Sequence, residues 1–186
     1  MDFSRKLYSG LLLGALIVGV VIIAFTLSCF KPAWPVELLR QLRVVITSPK
    51  NGSDNLPTSQ HVPIEGTYEG DLTGRQLWVL AYSYNDGMYY PQAIDDPQYP
   101  GDCEKKLSVQ LSPGGASEGR WITHFYDAIV EKLDLVVVAT KTNSAADQFF
   151  KDWVLKACIG QFPGGIPAHD LPGPLTEKAA ISVKTK

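Results

Sequence analysis

The hydropathy pattern begins with a long apolar run near the start of the chain. From Leu7 to Phe30, 24 consecutive residues carry no charge. At a rise of about 1.5 Å per residue, this run makes a helix of roughly 36 Å, longer than the hydrocarbon core of a bilayer, which is about 30 Å thick. The pattern therefore predicts one transmembrane helix at 7–30, preceded by a short tail at 1–6.

Two other readings of this run are open. A cleaved secretory signal has an apolar region of about 7 to 15 residues and a small-x-small cleavage site, whereas this run is longer and ends in Leu-Ser-Cys-Phe. Ser28 before Cys29 resembles a bacterial lipoprotein signal, but Thr26 stands where such signals carry an aliphatic residue. We therefore expect the span to be retained.

After a juxtamembrane linker at 31–42, the pattern changes to short apolar runs separated by turn residues, which is typical of β-strands. The run at 76–84 is apolar on both faces, which predicts a central strand. Asn85, Asp86 and Gly87 follow it and predict a hairpin to the next strand. The predicted strands are 43–47, 61–68, 76–84, 88–92, 105–112, 120–126, 133–140 and 179–185.

One segment near the end of the chain has helical spacing instead. Apolar residues recur every three or four positions from Ala146 to Ala157, and Ser144 with Asp147 resembles a capping box. Gly160 is placed to end the helix. The pattern predicts one amphipathic helix over about Ser144 to Cys158.

The strand runs RVVITSP, QLWVLAYSY, LDLVVVAT and AAISVKT together resemble the immunoglobulin and fibronectin type III sandwich superfamily. The resemblance covers 43–186 and is to modules that are membrane-anchored or surface-exposed in bacteria. It implies two packed sheets and a binding or spacer role. With the helix predicted from the spacing, which departs from the family pattern, the expected fold is mainly β, an immunoglobulin-like β-sandwich with one late α-helix. It assigns no functional residue.

Orientation in the membrane depends on which part must cross. Arg5 and Lys6 precede the predicted span, while Lys31, Arg40 and Arg43 follow it, so the positive-inside rule gives no clear asymmetry. A short charged tail is retained in the cytoplasm, whereas long domains translocate largely regardless of their charge. We therefore expect a cytoplasmic N-terminus and a C-terminal domain outside the cytoplasm.

Cysteine use leaves one question open. Cys29 lies at the predicted membrane edge, so Cys103 and Cys158 are the only possible pair within the domain. They could be bridged if the domain lies outside the cytoplasm and would be separate thiols inside it. Neither residue has a spacing that suggests a metal site.

Charge argues against a nucleic-acid partner. The residues from Val44 onward carry 12 Lys and Arg against 17 Asp and Glu, a net charge of −5. Nucleic-acid binding requires a basic patch or stripe.

Catalytic chemistry has no motif in the chain. His61, His124 and His169 are accompanied by no GxSxG, HExxH, P-loop or GxGxxG sequence, so we predict a non-enzyme without a cofactor. An acidic set could bind calcium, but its spacing matches no EF-hand loop and a solvated loop is the commoner reading, so no metal site is predicted. Its members are Asp86, Asp95, Asp96, Asp102 and Glu104.

Tyrosines supply the candidate binding surface. Five of the eight tyrosines fall between Tyr82 and Tyr99. Tyr offers a large, rigid contact face with a hydroxyl, although aromatics also fill half-buried sheet faces. Consecutive strand residues point to opposite faces, so at least one of Tyr89 and Tyr90 is expected to face outward. The candidate partner-binding residues are Tyr84, Tyr89, Tyr90 and Tyr99.

The predicted span carries small residues at four-residue spacing, which allows another helix to approach closely. The candidate helix-packing residues are Gly10, Gly14, Ala15 and Gly19.

Together these features predict a single-pass membrane protein whose sandwich domain binds a protein partner, or less readily a glycan. The alternative is an accessory subunit of a larger membrane complex, with its helix packed against other spans and its domain as a structural cap.

Overall fold

The computed structural model describes residues 41–58, 60–112, 118–126, 132–173 and 175–186. The predicted tail, the predicted span at 7–30 with its four helix-packing residues, and most of the linker lie outside the described residues. Within the described ranges, no helix is long and apolar enough to cross a membrane.

Nine β-strands and one α-helix make up the described part of the chain. Two short 3-10 turns, Cys103–Lys105 and Ala168–Asp170, lie in the connections. The elements are β1 Arg43–Ser48, β2 His61–Glu69, β3 Arg75–Ser83, β4 Met88–Gln92, β5 Gln110–Leu111, β6 Glu118–Tyr126, β7 Lys132–Lys141, α1 Ala145–Cys158, β8 Ile166–Pro167 and β9 Thr176–Lys184.

The strands form two antiparallel sheets. One has the order β1-β2-β6-β5 and the other the order β8-β4-β3-β7-β9. The first order corresponds to strands A, B, E and D of an immunoglobulin constant domain, and β3-β7-β9 corresponds to C, F and G. The prediction of a mainly β fold with two sheets and one late helix is confirmed.

The core lies between the two sheets. Alternate residues of β3 and β7 point inward, as the period of two requires, and meet inward residues of β2 and β6. Trp121 of β6 is buried in this core, at 1% exposure. Its indole lies against Gly66 of β2, where the Cβ of any other residue would collide with the ring.

Strand β3 is buried on its other face as well. Trp78 and Leu80 point away from the sandwich core and form a second apolar cluster with Phe150 and Val154 of α1. The prediction of a central strand is confirmed, and the helix explains why both faces of β3 are apolar.

The predicted strand at 105–112 is mostly wrong, because only Gln110 and Leu111 pair with β6. The segment crosses from one sheet to the other, and Leu107 pairs with Ile94 in an isolated bridge. In this segment Val109 is buried, Leu107 is half-buried and Leu111 is 47% exposed, so the alternation of apolar residues corresponds neither to a ladder nor to one buried face. The short strand β8 was also missed, because the segment 160–178, rich in Gly and Pro, is typical of a loop.

A buried hydroxyl yields a stability prediction. Thr123 of β6 is fully buried in the core, and its Oγ1 has no hydrogen-bond partner among the described residues. Thr123→Val replaces this hydroxyl with a methyl group of the same shape, so we expect stabilisation by about 1 kcal/mol. Urea unfolding followed by circular dichroism measures it. The reverse change at a matched site, Val137→Thr, should destabilise the fold, and a destabilised Thr123→Val protein would contradict the argument.

Candidate functional site

A cavity of about 650 Å³ lies at the side of the sandwich, where β4 and the end of β6 come together beneath α1. Strand β8 pairs only with Met88 and Tyr89, so β4 has no ladder partner on that side beyond Tyr89 within the described residues. The second half of α1 and Phe162 cover this gap. The lining includes His61, Asp86, Tyr90, Gln92, Lys106, His124, Phe125, Tyr126, Trp153, Val154, Cys158 and Phe162.

The start of α1 is fixed by its cap and by one carboxylate. Ser144 is the N-cap, and its Oγ accepts a hydrogen bond from the backbone N–H of Asp147, as the capping-box spacing predicts. The carboxylate of Asp147 accepts hydrogen bonds from Trp78 Nε1 at 3.0 Å and from the backbone N–H of Asn143 at 2.8 Å. Lys151 Nζ lies 2.8 Å from its Oδ2. One side chain therefore holds the helix start, the preceding turn and β3 together.

The charge on Asp147 is stabilised in the fold. Burial by itself raises the pKa of this carboxyl, but hydrogen bonds from Lys151, Asn143 and Trp78 outweigh it, and the pKa is lowered. Asp147 is therefore an ionised, fully buried anchor.

The end of α1 is fixed by a disulfide. Cys158, its last residue, is bonded to Cys103 in the 3-10 turn after β4. The sequence did not decide whether these two cysteines are bonded, and the structure shows that they are. With both ends attached, α1 holds Trp153 beside the free edge of β4.

Three aromatic rings form one wall of the cavity. The rings of Tyr90 and Phe162 lie within 15° of parallel, with centroids 6.3 Å apart. The Trp153 ring stands at 75° to Tyr90 and 73° to Phe162, at centroid distances of 6.3 and 5.6 Å. Trp153 is held by its indole Nε1, which donates to the carbonyl of Gly164 at 2.9 Å. Phe162 is 63% exposed, so this wall is open to solvent.

The rest of the lining is polar. His61 faces Tyr126 across the β2–β6 ladder, with ring centroids 5.3 Å apart, and His124 lies 5.9 Å from His61. Burial and the neighbouring His61 ring lower the pKa of His124, so its ring is neutral at neutral pH. Lys106 forms an ion pair with Asp95.

The four candidate tyrosines do not form one patch. Tyr84 and Tyr89 lie with Tyr82 on the outer face of the second sheet, with centroids 5.2 and 4.8 Å from the Tyr82 ring. Tyr90 points to the opposite side and into the cavity, as consecutive strand residues must. Tyr99 is exposed in the β4–β5 connection, beside Lys105. Their role in binding stays a prediction.

The hydroxyl and the ring of Tyr84 both contact residues of the same sheet. The hydroxyl donates to Asp134 Oδ2 at 2.7 Å, and this bond raises the pKa of Tyr84. Lys132 Nζ lies 4.8 Å from the ring centroid. Tyr84 is therefore held in position by residues of the same sheet.

The acidic set is dispersed over several structural roles. Asp86 accepts from Met88 N in the hairpin, Asp96 accepts from Gln98 N, and Asp102 caps the 3-10 turn. Asp95 pairs with Lys106. Among the residues the structure describes, no three His, Cys, Asp or Glu side chains are grouped to hold a metal ion.

Sequence reasoning missed Trp153 and Phe162. It placed Trp153 on the helix as part of an apolar stripe and left Phe162 in a loop. The available signal was Phe162 itself, an aromatic residue two positions after the helix-ending Gly160 that no periodicity explains. Only the fold shows that both rings meet Tyr90.

Comparison with known proteins gives little further identification. No protein-family model and no curated protein sequence matches this chain. Among solved structures, it is similar to a chain in the crystal structure of a complex between Zinc 2-glycoprotein and Prolactin inducible protein from human seminal plasma. The identity is 8% and the TM-score 0.28, with 77% of this chain and 94% of that chain covered. This likeness is too distant to bear on function.

The Asp147 anchor yields a prediction with a pH dependence. Asp147→Asn should lower the free energy of unfolding by about 2 kcal/mol, because an amide cannot replace the charge that Lys151 and two N–H groups contact. The pKa of Asp147 is lowered from its ordinary value of 3.8 in the folded state, so the unfolded chain is protonated first as pH falls. The stabilisation should be complete above that value and disappear as pH falls through the lower folded-state pKa.

Urea midpoints of wild type and Asp147→Asn between pH 7 and pH 2 measure this difference. Asp152→Asn, which changes an exposed carboxylate on the same helix, is the matched control and should change stability little. A constant difference between wild type and Asp147→Asn at every pH would contradict the role given to the charge.

Proposed function

We propose that this chain is a single-pass membrane protein whose immunoglobulin-like sandwich lies outside the cytoplasm and binds a protein partner. The apolar run at 7–30 supports the anchor, since its length suits a bilayer. The bond between Cys103 and Cys158 supports the compartment, because structural disulfides persist mainly in oxidising environments. The strand order supports an immunoglobulin-like sandwich as the domain that the anchor would carry.

One observation carries the binding role: the aromatic wall of Tyr90, Trp153 and Phe162 is open to solvent. Tyr and Trp dominate the residues whose loss weakens protein complexes, because they bury a large apolar area at low entropic cost. Tyr90 lies on β4 and Trp153 lies on the helix, which is attached at both ends, so these two rings need little ordering when a partner binds. This surface is best suited to binding a partner and not to catalysis.

A second candidate is an accessory subunit of a membrane complex. It is favoured by the separate aromatic group of Tyr82, Tyr84 and Tyr89, which lies on the outer face of the second sheet, opposite to the side on which Tyr90 points. A domain with two distinct aromatic surfaces is suited to contact two neighbours at once. In this role Gly10 and Gly14 would pack against another span.

The compartment is tested on the full chain recovered from its own cells. Free thiols are blocked with N-ethylmaleimide before lysis, and the peptides are analysed by mass spectrometry without reduction. We expect Cys103 and Cys158 in one linked peptide, with a sample reduced before blocking as the control. Two blocked thiols would contradict the external placement.

The partner is tested by gentle detergent extraction of the tagged full chain. We expect a defined partner to co-purify with the wild type and to be lost with Phe162→Asp, which places a charge on the aromatic wall. Phe149→Asp is the matched control, because Phe149 is an exposed helix residue outside the cavity, and it should keep the partner.

The two candidates differ in their response to the other aromatic surface. Loss of one partner with Phe162→Asp and of a different one with Tyr84→Ala would indicate the accessory subunit. Recovery of the wild type alone would contradict both candidates.

A further inference from the structure

The geometry of the aromatic wall restricts what it can bind. The faces of Tyr90 and Phe162 are nearly parallel, and Trp153 stands almost perpendicular to both, so the three rings form a corner. The face of an aromatic ring carries negative electrostatic potential, and Trp and Tyr attract cations best among the aromatics. Several rings that meet at one corner therefore favour a positively charged group over a neutral one.

A carboxylate strengthens this preference. Asp86 lines the same cavity, and its carboxylate accepts hydrogen bonds from the Tyr90 hydroxyl and from Met88 N. A negative charge at the hydroxyl increases the electron density of the Tyr90 ring and adds a Coulombic attraction for a cation beside it.

The cationic side chains of the cavity do not cancel this field. Lys106, a lysine of the lining, is paired with Asp95, and His124 is neutral at neutral pH because burial lowers its pKa. The residues from Val44 onward carry a net charge of −5, so the surrounding surface attracts cations too.

The geometry points to a specific ligand: the cavity binds the cationic side chain of a lysine or arginine that the protein partner inserts against Tyr90, Trp153 and Phe162. This assignment rests on the proposed function, since it names the group by which the partner is recognised. A sugar ring also stacks on aromatic side chains, but it would make no use of the Asp86 charge.

The test measures binding of single side chains to the full chain, in a polyoxyethylene detergent whose head group carries neither sugar nor ammonium. The probes are the N-acetyl methylamides of lysine, arginine and norleucine, the last being the uncharged analogue of lysine. The readout is the indole N–H resonance of Trp153, which is assigned by its absence in Trp153→Phe. We expect saturable shifts with the two cationic probes and about tenfold weaker binding of norleucine.

Three variants locate the effect. Asp86→Asn keeps the hairpin acceptor for Met88 N and should weaken lysine binding several-fold without changing norleucine binding. Phe162→Leu keeps an apolar side chain but removes a ring, and it should also weaken lysine binding. Phe149→Leu is the control outside the cavity and should leave binding unchanged.

Equal binding of lysine and norleucine would overturn the inference, since the cavity would then select apolar contact alone. Saturation of the same resonance by methyl glucoside, without a shift from the cationic probes, would overturn it in favour of a glycan. Absence of every shift would overturn it as well. In that last case a partner lost with Phe162→Asp would still support the proposed function, so the two failures are distinguishable.

Discussion

The position of the helix on the sheet depends on the carboxylate of Asp147. It is fully buried, and it accepts from the Trp78 indole on β3 and from the backbone before α1 while Lys151 balances its charge. A buried charge is tolerated only when its hydrogen bonds are satisfied, so this carboxylate admits one arrangement of helix and strand. The disulfide then fixes the other end of α1, and the cavity exists between these two attachments.

The two apolar faces of β3 organise the rest of the domain. One face forms the core with the opposite sheet, in which Trp121 lies against Gly66. The other is covered by α1 through Phe150 and Val154. The second half of α1 also reaches the free side of β4, where Trp153 and Val154 line the cavity. The aromatic wall forms at that place, and it supplies the surface proposed for the partner.

Much of the fold could be predicted because its signals are local. Period-two alternation located the major strands, Asn85-Asp86-Gly87 gave the hairpin, and Ser144 with Asp147 gave the helix start. The segment 105–112 was mistaken for a strand because its apolar and polar residues alternate, although only Gln110 and Leu111 belong to a strand. Tyr90 was singled out as a candidate, but its contacts with Trp153 and Phe162 were not predicted, because both residues are distant from it along the chain.

The sequence by itself determined the class of this domain: short alternating runs and one capped helical segment suffice for two sheets and a helix. It also determined that Tyr89 and Tyr90 face opposite ways, because a strand alternates its side chains. Only the tertiary structure decided that Cys103 meets Cys158, that Asp147 binds Trp78, and that Tyr90 joins Trp153 and Phe162. Those contacts join residues far apart in sequence, and their geometry depends on how whole helices and strands pack. The local pattern of apolar and polar residues does not specify that packing.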